Sequence, residues 1–154
     1  MSMTISKEDF LNSKGAVYGP GEWFKVDQGR INAFADATDD HQFIHVDPEA
    51  AKDTPFGGTI AHGFLTLSLL AYLVPKITPV PENKKMGVNY GLNKLRFLQP
   101  VAEGSEIRMT AKVLDVAEKR PGQVLVNTEV TVEIKGQETP ALIAEWLGMT
   151  FFED

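Results

Sequence analysis

Ala61-His62-Gly63-Phe64-Leu65-Thr66-Leu67-Ser68-Leu69-Leu70-Ala71-Tyr72-Leu73-Val74-Pro75-Lys76 is apolar nearly all round when wound as a helix. Phe64, Leu65, Leu67, Leu69, Leu70, Leu73 and Val74 leave little polar face, so such a helix must be covered on most sides. The continuously apolar part, Phe64 to Val74, is interrupted by Thr66 and Ser68 and falls well short of the roughly 20 residues that span a bilayer. The expectation is a buried helix, with no membrane partner.

The C-terminal half of the chain supplies the cover. Four segments, roughly 86–98, 105–118, 123–135 and 140–152, read as strands. In the clearest, Val124, Val126, Thr128, Val130, Val132 and Ile134 alternate with Leu125, Asn127, Glu129, Thr131, Glu133 and Lys135, which puts one face in a core. Arg120-Pro121-Gly122 and Lys135-Gly136-Gln137 are turn signals between consecutive strands, so this half of the chain reads as an antiparallel meander. An apolar helix followed by antiparallel strands, with no alternation of strand and helix, is an α+β arrangement in which the sheet wraps the helix.

Before the helix, Asp27 is placed to cap a helix carrying Ile31, Phe34, Ala35 and Thr38 on one face and stopping near Asp39. Asp47-Pro48-Glu49 is a second helix start, with a cap, a proline at the first helical position and an acid in the first turn. That helix must be short, because Pro55 and Gly57-Gly58 come within two turns. A length of 154 residues fits one domain, taken as 1–154. With 15 basic against 21 acidic residues and a net charge of -6, the chain lacks the footprint of a nucleic-acid partner. It contains no cysteine, which excludes thiolate chemistry and fits a reducing compartment; with no export signal in Met1 to Leu11, a cytoplasmic location is expected.

The reactive residue types gather between the two early helix signals, in Thr38-Asp39-Asp40-His41-Gln42-Phe43-Ile44-His45-Val46-Asp47. Asp40 and His45 stand five apart, which turns them about 140° from each other on a helix and onto opposite faces of a strand. They converge only if the segment between them is irregular. Gly57-Gly58-Thr59-Ile60-Ala61-His62-Gly63 then leads into the apolar helix, so the N–H groups near Gly63 belong to a helix start, where donors are unsatisfied and a developing oxyanion is stabilised. His41 and His45, with Asp47 or His62, suggest a metal site only weakly, since no His-Glu-x-x-His pattern is present, and none is expected. His62 reads as a packing residue at the helix entry.

Ala37-Thr38-x-Asp40-x4-His45-x-Asp47, then Gly58-Thr59-Ile60-Ala61-His62-Gly63-Phe64-Leu65-Thr66-Leu67-Ser68, resembles the signature of the MaoC-like (R)-specific enoyl-CoA hydratases. Trp23, Val26-Asp27-Gln28, Phe34-Ala35-Asp36-Ala37-Thr38 and Asn89-Tyr90-Gly91-Leu92-Asn93-Lys94-Leu95-Arg96-Phe97 are similar to the branch that contains nodulation protein N. The resemblance spans roughly Trp23 to Phe152. It implies a hotdog fold, an antiparallel sheet wrapped round a central apolar helix, and a homodimer joined through sheet edges. It implies hydration of trans-2-enoyl-CoA, or another enoyl thioester, to the (R)-3-hydroxyacyl form, and the reverse dehydration. Asp40 and His45 would hold the reacting water, the Gly63 N–H would bind the thioester carbonyl, and Ser68 would support the catalytic loop. No cofactor is implied beyond coenzyme A or acyl carrier protein as the substrate's handle. Two departures stand out: Asp39 and Gln42-Phe43 occupy positions where other hydratases of the group carry Gly and Asn-Pro. Asp tolerates a left-handed backbone better than most residues other than glycine. Because one fold serves several chemistries, thioester hydrolysis and non-catalytic binding of acyl thioesters are the competing readings.

Overall fold

The computed structural model describes residues 3–153. In chain order, β1 (Thr4–Ile5), α1 (Lys7–Leu11), β2 (Val17–Tyr18) and β3 (Phe24–Lys25) precede α2 (Gln28–Thr38). Three short helices come next, α3 (Phe43–Val46), α4 (Pro48–Ala51) and α5 (Gly63–Ser68), then α6 (Leu70–Leu73) with a terminal 3-10 turn at Val74–Lys76. The strands β4 (Val80–Pro81), β5 (Lys84–Phe97), β6 (Glu106–Arg120), β7 (Gln123–Ile134) and β8 (Leu142–Phe152) complete the chain.

The apolar segment forms the expected central helix, but as two consecutive helical pieces and a tighter last turn. Each break has a local cause. The Ser68 hydroxyl donates to the Phe64 carbonyl at 2.7 Å, just before the step at Leu69, and such back-bonding bends helices. Pro75 has no N–H to give, and the helix ends there as a 3-10 turn. Leu65, Leu69, Leu70, Leu73 and Val74 from this helix pack on Ile107 and Met109 of β6, Val130 and Val132 of β7, and Leu142 and Ala144 of β8. A fully buried side chain of this size is worth roughly 1.5–3 kcal/mol, so this one interface dominates what holds sheet to helix.

The sheet order is β2-β6-β7-β8-β5, with β3 also paired to β6. β6, β7 and β8 form the expected meander. Arg120 pairs with Gln123 across a two-residue turn in which Gly122 adopts φ 75, a conformation Pro121 followed by glycine meets without strain. β5 does not join that meander beside β6, as a simple reading of consecutive strands suggests, but pairs antiparallel with β8 at the far edge. The connection from Leu98 to Ser105 explains why. Val101 accepts from the Ala61 N–H, Ala102 bridges Ile60, and the Gly104 N–H donates to Val26, so this segment crosses the entry of the central helix before β6 begins.

β5 is the sheet's edge and is exposed along almost all its length, including Met86, Val88, Tyr90 and Leu92. Beside this edge the central helix leaves Phe64 65% exposed against Phe97 of β5, while Tyr72, 52% exposed, packs on Phe24 of β3. The helix is therefore covered by its own sheet on one side only. The short elements β1, β2, β3, β4 and α1 have no counterpart in the sequence patterns, because two-residue strands carry no detectable alternation and a five-residue helix is too short to show a 3.6-residue period.

Candidate active site

The loop from Asp39 to Asp47 is built from the irregular pieces that convergence requires. Asp27 caps α2 by accepting from the Arg30 N–H at 2.8 Å, and Asp39 ends it in the left-handed conformation, φ 60 and ψ 22. Asp39 thus adopts at the helix end a conformation more often given to glycine, and does so at modest cost. Gln42 is extended, and the single turn of α3 then carries His45 inward, 7% exposed. Asp47 closes the turn and caps α4 through the Ala50 N–H.

One carboxylate oxygen of Asp40 and one ring nitrogen each of His45 and His62 lie within 4.8 Å of one another. A gap of that size is bridged by one water making two ordinary hydrogen bonds of about 2.8 Å. His45 Nδ1 sits 2.7 Å from the carbonyl oxygen of Ile60. A carbonyl only accepts, so Nδ1 carries the proton and Nε2 is left with a lone pair whenever the ring is neutral. The backbone of Ile60, on the loop leading to the helix, therefore sets the histidine's tautomer.

His62 packs at the entry of the central helix, as expected, and its ring also reaches the residues on either side. It is 3% exposed, its ring stacks on His45 with centroids 3.8 Å apart, and Phe34 packs against it. Its Nε2 lies 2.9 Å from the Asp40 carbonyl oxygen and so donates to it. The ring thereby ties the two reactive residues to one support. Because that nitrogen is spent as a donor, the trio of Asp40, His45 and His62 offers a metal ion only two lone pairs at one point, a poor donor set. His41, by contrast, is held outside by an exposed pair with Asp36.

Gln28 is a second support without a prior signal beyond its place in the resemblance. Its amide nitrogen donates to the His45 carbonyl at 2.7 Å, and its oxygen accepts from the Thr59 hydroxyl. Helix α2, the histidine turn and the loop before α5 are thus stitched together by one side chain.

Gly63 opens α5 and lines a cavity of about 390 Å³ with His45, Phe56, Thr66 and Phe97. A Cβ at Gly63 would come within 3.0 Å of the Phe97 ring, so the backbone is exposed to the cavity only because the residue is glycine. Ser68 is not brought to the loop. Its hydroxyl is committed to the Phe64 carbonyl, and the residue lines a separate small cavity with Ala71, Asn89 and Trp146. Six residues beyond His62 lies on another helix face; Thr66, four beyond, is buried and shares the cavity of His45. A spacing of four was the available signal.

Residues 9–136 match the model of the MaoC like domain. The chain belongs to this family. It is 49% identical over 151 residues to nodulation protein N of Rhizobium leguminosarum bv. viciae, covering 97% of this chain and 93% of that protein. It is also similar to 3-hydroxyacyl-thioester dehydratase Z of Mycobacterium tuberculosis, 45% identical over 140 residues, with 91% and 92% covered. The MaoC-like chain also superimposes on the (R)-hydratase from A. caviae involved in PHA biosynthesis with a TM-score of 0.70, covering 88% and 93% at 24% identity. At that identity the likeness concerns the hotdog architecture alone, and the sheet wrapped on one helix is that architecture.

Proposed function

We propose that this MaoC-like protein adds water reversibly across the C2=C3 bond of a trans-2-enoyl thioester, giving the (R)-3-hydroxyacyl thioester. The observation that carries the reading is the approach of the Asp40 carboxylate and a His45 ring nitrogen to within one water's span. In the forward direction the water oxygen bonds C3 as the pair takes up its proton, and C2 gains a proton from the pair on the same face. The electron pair displaced from C2=C3 gathers on the thioester oxygen until C2 is protonated. A donor is needed there, and the Gly63 N–H, at a helix start inside the cavity of His45, fits that need. The tautomer set by Ile60 leaves His45 ready to accept. Likeness to a protein named as a 3-hydroxyacyl-thioester dehydratase supports the same chemistry in reverse. No cofactor enters; coenzyme A or a carrier protein serves as the handle.

The active form in this reading is a homodimer. From Met86 to Asn93 the exposed β5 edge carries no charge, and with Phe64 of the central helix beside Phe97 it offers a second copy an unpaired strand and an apolar strip to cover.

Hydration of crotonyl-CoA, monitored by loss of the enoyl absorbance and by chirality of the product, tests the proposal. Asp40→Asn and His45→Ala should each lower turnover by about 10²–10⁴-fold while the melting temperature stays near that of the parent. Release of free thiol would identify a thioesterase instead, and saturable binding without turnover a binding module.

A further inference from the structure

Three cavities succeed one another along a single face of the central helix. The first holds His45, Gly63 and Phe64; the second is lined by Leu67, Ser68 and Ala71; the third, about 390 Å³, by Ala71, Val74 and Pro75. These positions repeat every three or four residues, so they form one stripe, and the cavities open in succession beside it. The second and third share Ala71, Asn89 and Trp146 as a common wall. Trp146 is held there by its indole N–H, which donates to the Asn89 side-chain oxygen at 3.2 Å. Behind it, on the same face of β8, stands Gly148, where a Cβ would meet nothing closer than 4.0 Å. Gly148 thus leaves open a part of the third chamber that a side chain at that position would occupy.

Resting on the enoyl-thioester reading of the site, we propose that Trp146 and Gly148 set the length of acyl chain this protein takes, and that the chamber beyond Trp146 receives the tail of a long one. From Gly63 to Ala71 the helix rises about 12 Å, the reach of an extended chain of roughly ten carbons. An acyl group shorter than this ends before the waist formed by Ala71 and Trp146. A longer one passes it and buries its terminal methylenes in the third chamber, which favours binding in proportion to the apolar surface removed from water. The substrate class is thus straight-chain enoyl thioesters of more than about ten carbons, with short chains as poorer substrates.

The test is the ratio of kcat/KM for trans-2-hexadecenoyl-CoA to that for crotonyl-CoA in the intact protein. Wild type should favour the long ester. Gly148→Val, which fills the chamber at an open strand position, should lower the ratio by about tenfold or more, as one or two misplaced methylenes do in other apolar pockets. Trp146→Ala, which removes the waist, should raise the turnover of sixteen-carbon over eight-carbon esters. A wild type that turns over short esters only, or a ratio that neither variant moves, overturns the inference and leaves the hydratase reading intact. If wild type hydrates no ester, the hydratase reading fails, and binding decides the length inference separately. Saturable binding of hexadecenoyl-CoA that Gly148→Val weakens about tenfold supports it; binding indifferent to that change, or none, ends it.

Discussion

His62 carries more of this site than its chemistry suggests. It donates to the Asp40 backbone, stacks beneath His45 and stands immediately before Gly63, so one ring touches or adjoins all three proposed participants. Its part is positioning, and the two functions of the ring are separable by substitution. His62→Phe keeps a planar ring under His45 but loses the donor, whereas His62→Gln keeps a donor near the position of Nε2 and loses the stack. We expect the phenylalanine variant to lose tenfold or more in kcat with KM little changed, about the worth of a badly placed reacting group, and the glutamine variant to recover part of that loss. Steady-state kinetics beside thermal melts would check this. Equal losses in both variants that track their loss of stability would reduce His62 to a packing residue.

Among the elements, α5 has the most to lose from a small change at its first residue. Gly63 brings bare backbone to the cavity under the edge of the Phe97 ring. Gly63→Ala keeps the N–H but forces Phe97 aside, and Phe97 is half-exposed and free to give way. The expected outcome is therefore a fall of about 10–10³-fold in kcat/KM, as when an oxyanion donor is misaligned, with a melting temperature that moves little. Pairing it with Phe97→Leu should recover part of the activity, and full turnover in Gly63→Ala alone would remove Gly63 from the mechanism. The strand elements obey simpler rules. β7 reads directly from its alternation, and the hairpin at Pro121-Gly122 from its residues, because both depend on neighbours in the chain.

For the whole molecule, the deciding feature is what one chain leaves uncovered. Met86, Val88, Tyr90 and Leu92 along the β5 edge, and Phe64 of the helix against Phe97 at its end, stay exposed. Specific dimers bury about 1,200–2,000 Å² in total, and a fourteen-residue edge with an adjoining helix strip offers that scale of contact. Replacing Met86 and Tyr90 together by lysine puts two further charges into the uncharged middle of an edge that has Lys84, Lys85, Lys94 and Arg96 at its ends, and natural sheets use such charges to block strand addition. Light scattering should then show monomer in place of dimer, with hydration falling alongside. A wild-type chain that is monomeric and active at micromolar concentration would defeat the dimer proposal.

Local chemistry along the chain dictated the α+β class, the caps at Asp27 and Asp47, the meander of the last three strands and the candidacy of Asp40 and His45, since each depends on periodicity or on residues a few positions apart. Long-range contacts had the final word on the rest. The pairing of β5 with β8 stems from a connection tied down at Ile60 and Val26, and the approach of Asp40 to His45 from a left-handed residue, one helical turn and the grip of His62 and Gln28. Those partners lie 15 to 57 positions away in the cases of His45 with Ile60 and Trp146 with Asn89. No local pattern encodes such meetings, because the chain pays the entropy of closing those loops only once the core formed by the central helix and its sheet exists to offset it.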